Sequence, residues 1–148
     1  MSLEIIISDA IKDAMRAKDK IALDALRAVK SQIILVKTEA KGADVSAEQE
    51  IAILQRMIKQ RKDSFDQFTA QNRSDLAEVE QAQSTIIEKF LPQQLSAEEL
   101  ESEIEKIISQ TGAESAKDLG KVMGMASKAL AGKSDGKSIS DMAKKLLS

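Results

Sequence analysis

One stretch decides the fold, residues 88–100, which reads EKFLPQQLSAEEL. It holds Pro92, the only proline of the chain, which lacks an amide donor and restricts the conformation of the residue before it. Ser96 and Glu99 follow with the spacing of a capping box, in which each side chain bonds the other residue's backbone at the start of a helix. The stretch therefore predicts the end of one group of helices and the start of another.

Helical patterns fill the sequence on both sides of Pro92. Before it, apolar residues recur at three- and four-residue spacing, Asp19 is placed to cap a helix, and Ser46 completes a capping box with Gln49. After it the patterns shorten: Gly112 is typical of a helix end, and starts are predicted at Ser115 and Ser138 because each precedes an aspartate by three residues. No segment shows sustained strand-like alternation. We predict an all-α protein, with an N-terminal antiparallel helical bundle in residues 1–92 and a small three-helix C-terminal domain in residues 95–148.

The composition excludes most familiar catalysts. The 148 residues contain no cysteine and no histidine, which removes disulfides, thiolate or imidazole metal ligands, and Ser-His or Cys-His pairs. Carboxylates one helical turn apart, such as Glu101 and Glu105, are interpreted as solvated helix faces. We expect no catalytic residue, no metal site and no cofactor. The longest aliphatic run spans only residues 33–36, and the N-terminus lacks a signal-peptide pattern, so the sequence predicts a cytoplasmic protein with no membrane partner.

Two clusters of basic residues are candidates for binding RNA. The formal net charge is −2, so such binding requires a local patch. The first cluster places Arg56, Lys59 and Lys62 on the third predicted helix, with Arg73 just beyond it. Asp63 lies four residues after Lys59 and Asp66 lies four residues after Lys62, so a salt-bridged surface remains an alternative interpretation.

The second cluster lies in residues 112–148, which carry seven lysines and four acidic residues. Six of these lysines are candidate phosphate contacts: Lys117, Lys121, Lys128, Lys133, Lys137 and Lys144. Such contacts give salt-dependent binding without base specificity. No aromatic residue lies near them in the sequence to stack bases, which disfavours sequence-specific recognition of single strands.

Four glycines accompany these lysines: Gly120, Gly124, Gly132 and Gly136. Their spacing does not fit a phosphate-binding loop of the P-loop type. We interpret them as positions of close approach, because a residue without Cβ lets a neighbouring helix pack tightly. The functional alternative is that the helix backbone approaches an RNA phosphate.

Ordered blocks of sequence resemble the YqeY family. They are LRAVKS (26–31), KQRKDSF (59–65), NRSDLA (72–77), FLPQQLS (90–96), DLGKVMG (118–124) and GKSDG (132–136). The resemblance extends over essentially the whole chain. It implies homology to the C-terminal tail of the B subunit of the tRNA-dependent amidotransferase, an all-helical region in two parts that helps to hold tRNA. The active sites of that enzyme lie in domains with no counterpart here.

These observations support three hypotheses. The first is a non-catalytic module that binds tRNA or another structured RNA through the lysines. The second is an adaptor that docks on an amidotransferase or an aminoacyl-tRNA synthetase through the apolar run at residues 33–36. The third is the activity that the family label implies, a carbon–nitrogen ligase with glutamine as amido donor.

Overall fold

The computed structural model describes residues 2–148, and that part of the chain is all-α, with seven α-helices, one short 3-10 helix and no strand. The predicted fold class is confirmed. The α-helices are α1 (Leu3–Ala17), α2 (Lys20–Glu39), α3 (Ala47–Ala70), α4 (Ser74–Glu88), α5 (Ala97–Thr111), α6 (Leu119–Ala129) and α7 (Gly136–Leu147), and the 3-10 helix (Ala116–Asp118) precedes α6. The chain divides into two compact units, an N-terminal unit (Met1–Leu91) and a C-terminal unit (Pro92–Ser148).

Local side-chain bonds explain where several helices begin and end. The Asp19 carboxylate accepts a hydrogen bond from the Ala22 N–H at 3.1 Å, as its capping position predicts. The capping boxes that begin at Ser46 and Ser96 are both complete. Gly112 ends α5 with a left-handed φ of 69°, which a glycine adopts without the steric penalty of a Cβ.

One of the two later predicted helix starts is confirmed in part and the other is wrong. Ser115 caps a helical turn, since its hydroxyl accepts the Lys117 N–H at 3.3 Å, but that turn is the 3-10 helix, and α6 begins only at Leu119. The last helix begins at Gly136 instead of near Ser138, because Asp135 has extended backbone angles and its carboxylate accepts the Ser138 N–H at 2.7 Å. An aspartate at this position is as effective an N-cap as serine, so the earlier of the two candidates caps the helix.

The N-terminal unit encloses a core between α1, α2, α3 and α4. Lys37 Nζ lies 3.0 Å from Glu4 Oε2, which joins the end of α2 to the start of α1 as antiparallel neighbours require. The largest fully buried side chains of this unit are Ile7, Val29, Ile33, Leu54 and Ile87. Since they come from all four helices, the four helices share one apolar core.

The C-terminal unit has its own core, formed by α5, α6 and α7. Ile104 on α5 and Val122 on α6 are completely buried, and Ile139 on α7 is 3% exposed. These residues belong to one cluster that contains none of the N-terminal core residues. Within the described residues, no helix is long and apolar enough to cross a membrane.

Candidate nucleic-acid interface

The lysines of the first basic cluster are paired within the N-terminal unit. Lys59 Nζ lies 3.5 Å from Asp63 Oδ2, one turn along α3, as the sequence alternative predicted. Lys62 Nζ lies 3.4 Å from Glu88 Oε1 on α4. The positive charge of each lysine is thus compensated by a carboxylate at the same place on the surface.

The arginines of that cluster also have partners. Arg73 makes two hydrogen bonds to the Asp75 carboxylate at 3.2 Å each, and this contact raises the pKa of Arg73 and lowers that of Asp75. Arg56 Nη2 donates to Gln32 Oε1 at 3.3 Å. The four predicted contacts of this cluster therefore lie on a surface whose cations are already hydrogen-bonded or paired with acids.

Arg61, between them on α3, is a structural residue. Its side chain is partly buried, which lowers its pKa because the charged form loses hydration. Its guanidinium donates to Gln83 Oε1 at 3.1 Å and to the Met57 carbonyl at 3.2 Å. These bonds connect α3 to α4 inside the N-terminal unit.

The lysines of the second cluster differ because none is paired with a described residue. Within residues 2–148, they make no ion pair shorter than 4.0 Å. All six predicted contacts are exposed: Lys117 in the 3-10 helix, Lys121 and Lys128 on α6, Lys133 in the connection between α6 and α7, and Lys137 and Lys144 on α7. Their ammonium groups are available to an external anion.

The solvent-facing side of α6 carries lysines and exposed glycines, at which no side chain covers the backbone. Lys121 and Lys128 are seven residues apart, almost two turns at about 3.6 residues per turn, so they share one face. Gly124 and Met125 lie between them, and Met125 is 42% exposed. Val122 is buried on the opposite side of the helix. We call this surface, residues 120, 121, 124, 125 and 128, the α6 face.

One acidic residue lies beside the start of this face. The Asp118 carboxylate accepts the Glu114 N–H at 3.0 Å, and this bond is the main reason that its pKa is lowered. Lys121 is near enough to lower the pKa of Asp118 further, although it makes no ion pair with it. Asp118 therefore remains ionised, and its negative charge reduces the positive electrostatic potential around Lys121 more than that around Lys128.

The interpretation of the glycines as helix-packing positions is wrong for three of them. Apart from its chain neighbours and the nearby backbone of its own helix, a Cβ added at Gly120, Gly124 or Gly136 would meet no atom of the described residues within 4 Å. No helix of that part of the chain packs there, because α6 makes its core contacts through Val122. Gly132 has another role: its φ of 78° lies in the left-handed region, so the turn itself requires glycine.

We expect opposite effects on stability from alanine at Gly124 and at Gly132. Gly124 lies inside α6, so Gly124→Ala should raise the free energy of unfolding by about 0.5–1 kcal/mol. Gly132→Ala should lower it by at least about 1 kcal/mol, because alanine is strained at positive φ. Urea unfolding followed by circular dichroism measures both, and equal signs would contradict this assignment.

Sequence reasoning did not identify Gln94 as part of this region. Its side-chain amide donates to the Gly132 carbonyl at 2.5 Å and to the Pro92 carbonyl at 2.8 Å. The neighbouring Leu95 N–H donates to the Lys133 carbonyl at 2.9 Å. The partners are 38 residues apart in the chain, so no local pattern could have revealed the contact.

The apolar run proposed as a docking surface is only partly buried. Ile33 is 1% exposed and belongs to the core, whereas Ile34 is 47% and Leu35 49% exposed. Because a helix in a bundle buries one stripe, a run of consecutive aliphatic residues leaves some of them in water.

The fold thus defines an all-helical protein of two compact units, and the lysines of residues 112–148 in the second unit make no ion pair with a described residue. The chain belongs to the YqeY family, whose model, described as "Yqey-like protein", matches residues 5–147. The resemblance drawn from the sequence blocks is therefore confirmed.

Curated relatives share the name "Altered inheritance of mitochondria protein 41, mitochondrial". The relative from Lachancea thermotolerans is 36% identical over 91 residues, and one from Saccharomyces cerevisiae is 34% identical over 91 residues; each match covers 62% of this chain and 49% of the relative. A relative from Pyrenophora tritici-repentis is 34% identical over 80 residues, 54% of this chain and 44% of the relative. The chain spans about half the length of the curated relatives it matches.

Proposed function

We propose that this protein is a non-catalytic RNA-binding module that holds tRNA or another structured RNA through the lysines of its C-terminal unit. The observation that carries the proposal is a contrast within one chain. The cations of the N-terminal cluster are paired or hydrogen-bonded, whereas the lysines of residues 112–148 are exposed and have no acidic partner within 4.0 Å among the described residues. An ammonium group without an ion-pair partner can neutralise a phosphate, which releases counterions condensed on the RNA and favours binding.

The chemistry of this surface favours structured RNA over single strands. Lysines that contact phosphates recognise where the phosphates lie and not which bases they join. A folded RNA presents its phosphates in a rigid arrangement. The three aromatic residues of the chain, Phe65, Phe68 and Phe90, all belong to the N-terminal unit. The C-terminal unit therefore has no aromatic platform on which unstacked bases could lie.

Gly124 supports a contact made outside the chain. A glycine inside a helix is less stable than alanine by about 0.5–1 kcal/mol, and no neighbouring atom of the described residues requires it here. Its exposed backbone lies on the same face as Lys121 and Lys128. A phosphate backbone can approach this part of α6 more closely than it can approach a helix with side chains at every position.

The family resemblance adds a reason to choose tRNA among structured RNAs. The tail of the amidotransferase B subunit, which the sequence blocks resemble, helps to hold tRNA. The relatives' names point to mitochondria, while the sequence predicts a cytoplasmic protein. Both compartments contain tRNA, so the proposed function is the same in either one.

A salt series on the unmodified protein tests the proposal. Fluorescence anisotropy with labelled tRNA should give a dissociation constant of about 1 μM at low salt. The logarithm of affinity should fall against the logarithm of salt concentration with a slope of about −3.6 to −5.4 for four to six phosphate contacts. A single-stranded oligonucleotide of equal length should bind more weakly. Absence of tRNA binding at low salt would overturn the proposal.

A second candidate function, docking on an amidotransferase or aminoacyl-tRNA synthetase, is favoured by the exposure of Ile34 and Leu35. Its test is titration calorimetry with a purified tRNA amidotransferase in the absence of RNA. Docking through this surface predicts binding that is insensitive to salt and abolished by Leu35→Asp. Binding that persists in that variant would exclude this surface.

A further inference from the structure

We propose that Gln94 is a positioning residue of the RNA-binding surface and that it acts through Lys133. The inference rests on the proposed function, because it assigns a role within that same surface. Gln94 itself is not proposed to touch RNA. Its contribution is to hold the connection between α6 and α7 in the conformation that presents Lys133.

The hydrogen bonds of Gln94 form a clamp on this connection. A glutamine side-chain amide has two N–H donors, and here the nitrogen lies within hydrogen-bond distance of two carbonyls, those of Pro92 and Gly132. One residue further on, the Leu95 N–H donates to the Lys133 carbonyl at 2.9 Å. The start of the C-terminal unit is thereby fastened to two consecutive residues of the connection.

Apart from the clamp, a backbone hydrogen bond from the Lys133 N–H to the Leu130 carbonyl at 2.9 Å restrains the connection. It contains Gly132, whose left-handed φ is accessible to glycine together with many other conformations. A lysine on an unrestrained segment loses backbone as well as side-chain freedom when it binds, and that entropy weakens the contact. Holding the backbone at Lys133 before RNA arrives removes part of this loss.

The clamp is separable from the folding of the neighbouring helices. Helix α5 has its own complete capping box at Ser96 and Glu99, and α7 is capped by Asp135, so neither start depends on Gln94. Gln94 is exposed and is not part of the apolar core of its unit. Its replacement should therefore loosen the connection without unfolding the unit.

The chain offers a matched control in the adjacent residue. Gln93 is also an exposed glutamine of the same segment, and within the described residues its side chain makes no hydrogen bond. Gln93→Ala and Gln94→Ala remove the same atoms from neighbouring positions. A difference between the two variants therefore reports the clamp and not the loss of a glutamine in general.

The test is a double-mutant cycle for tRNA affinity in the full chain. Lys133→Ala should weaken binding about 8-fold at about 0.1 M salt. One phosphate contact contributes about 0.9 to the slope of log affinity against log salt, and over the tenfold range from about 0.1 M to about 1 M that slope amounts to a factor of about 8. Gln94→Ala should weaken it about 3-fold, and Gln93→Ala should leave it unchanged. The double variant Gln94→Ala with Lys133→Ala should bind no more weakly than Lys133→Ala alone, because the lysine that the clamp positions is absent. A merely structural role would instead multiply the two losses.

Amide hydrogen exchange in the RNA-free protein provides a second measurement. Exchange at the Leu95 N–H should accelerate in Gln94→Ala and not in Gln93→Ala; an unchanged rate would overturn the clamp. If the unmodified protein binds tRNA but the two losses multiply to about 24-fold, the positioning role fails and the proposed function stands. If the unmodified protein does not bind tRNA, the proposed function fails and the positioning role fails with it, whatever the exchange data show.

Discussion

Replacing Lys121, Lys128 and Lys137 together by glutamine should lower the affinity for tRNA by about 10²- to 10³-fold at about 0.1 M salt. The slope of log affinity against log salt should become less steep by about 2.7. Each of the three side chains is exposed and lacks an ion pair among the described residues. Under the proposed function, its removal takes away one phosphate contact and breaks no ion pair among those residues. Glutamine keeps a polar side chain at each position. The measurement is the dissociation constant across a salt series.

The control is the triple variant of Arg56, Lys59 and Lys62, each changed to glutamine. It alters the net charge of the protein by the same three units, so the long-range field changes equally. These side chains already have partners such as Asp63 and Glu88, and exposed ion pairs contribute at most about 1 kcal/mol to stability. We expect an affinity within about 3-fold of the unmodified protein. Equal losses in the two triple variants would show that net charge, and not the C-terminal surface, governs binding.

The parts of the fold that sequence predicted are those determined by neighbouring residues. The capping boxes at Ser46 and Ser96 depend on groups three residues apart, and both occur as predicted. The predicted start of α7 was wrong, and the reason is again local in sequence. Two good N-caps, Asp135 and Ser138, lie three residues apart, and propensity alone does not choose between them.

The parts that sequence could not predict depend on contacts between distant segments. The pairing of Lys59 with Asp63 follows from helical spacing, but Lys62 bonds Glu88 on another helix instead of Asp66 at i+4. The same limit applies to the candidate site. That Lys121 makes no ion pair with a described residue depends on where the fold places the acidic side chains, because Asp118, a neighbour in sequence, turns its carboxylate toward the Glu114 N–H.

The glycines illustrate a different error. Their helical spacing was recognised, but the reason assigned to it, close packing of another helix, is wrong. Gly120 and Gly124 are spaced as helix-packing glycines often are, and the sequence gives no sign of which face of α6 is buried other than its apolar residues. Val122 and Ala126 define that face, and Gly124 lies away from it. A helical wheel that placed the glycines relative to Val122 would have favoured the external contact over the internal one.

Ile104→Ala should unfold the C-terminal unit under conditions in which the N-terminal unit stays folded. Ile104 is completely buried at the centre of a small core, and such truncations cost about 2–5 kcal/mol. A unit of this length has a stability of only about 3–8 kcal/mol, so the substitution removes much or all of it. Circular dichroism should show a first transition that shifts strongly to lower urea, while the remaining helical signal keeps its midpoint. Affinity for tRNA should be lost along that first transition, since the lysines lie on the unit that unfolds.

Two comparison variants make this result specific to the C-terminal core. Ile104→Val removes one methyl group and should cost about 0.5–1.5 kcal/mol, which gives a graded shift of the same transition. Ile34→Ala truncates a half-exposed isoleucine of the N-terminal unit and should leave the first transition unchanged. A single transition that moves as a whole in Ile104→Ala would mean that the two units unfold together. In that case the loss of tRNA binding would follow from global unfolding, and the lysine variants alone would locate the binding surface.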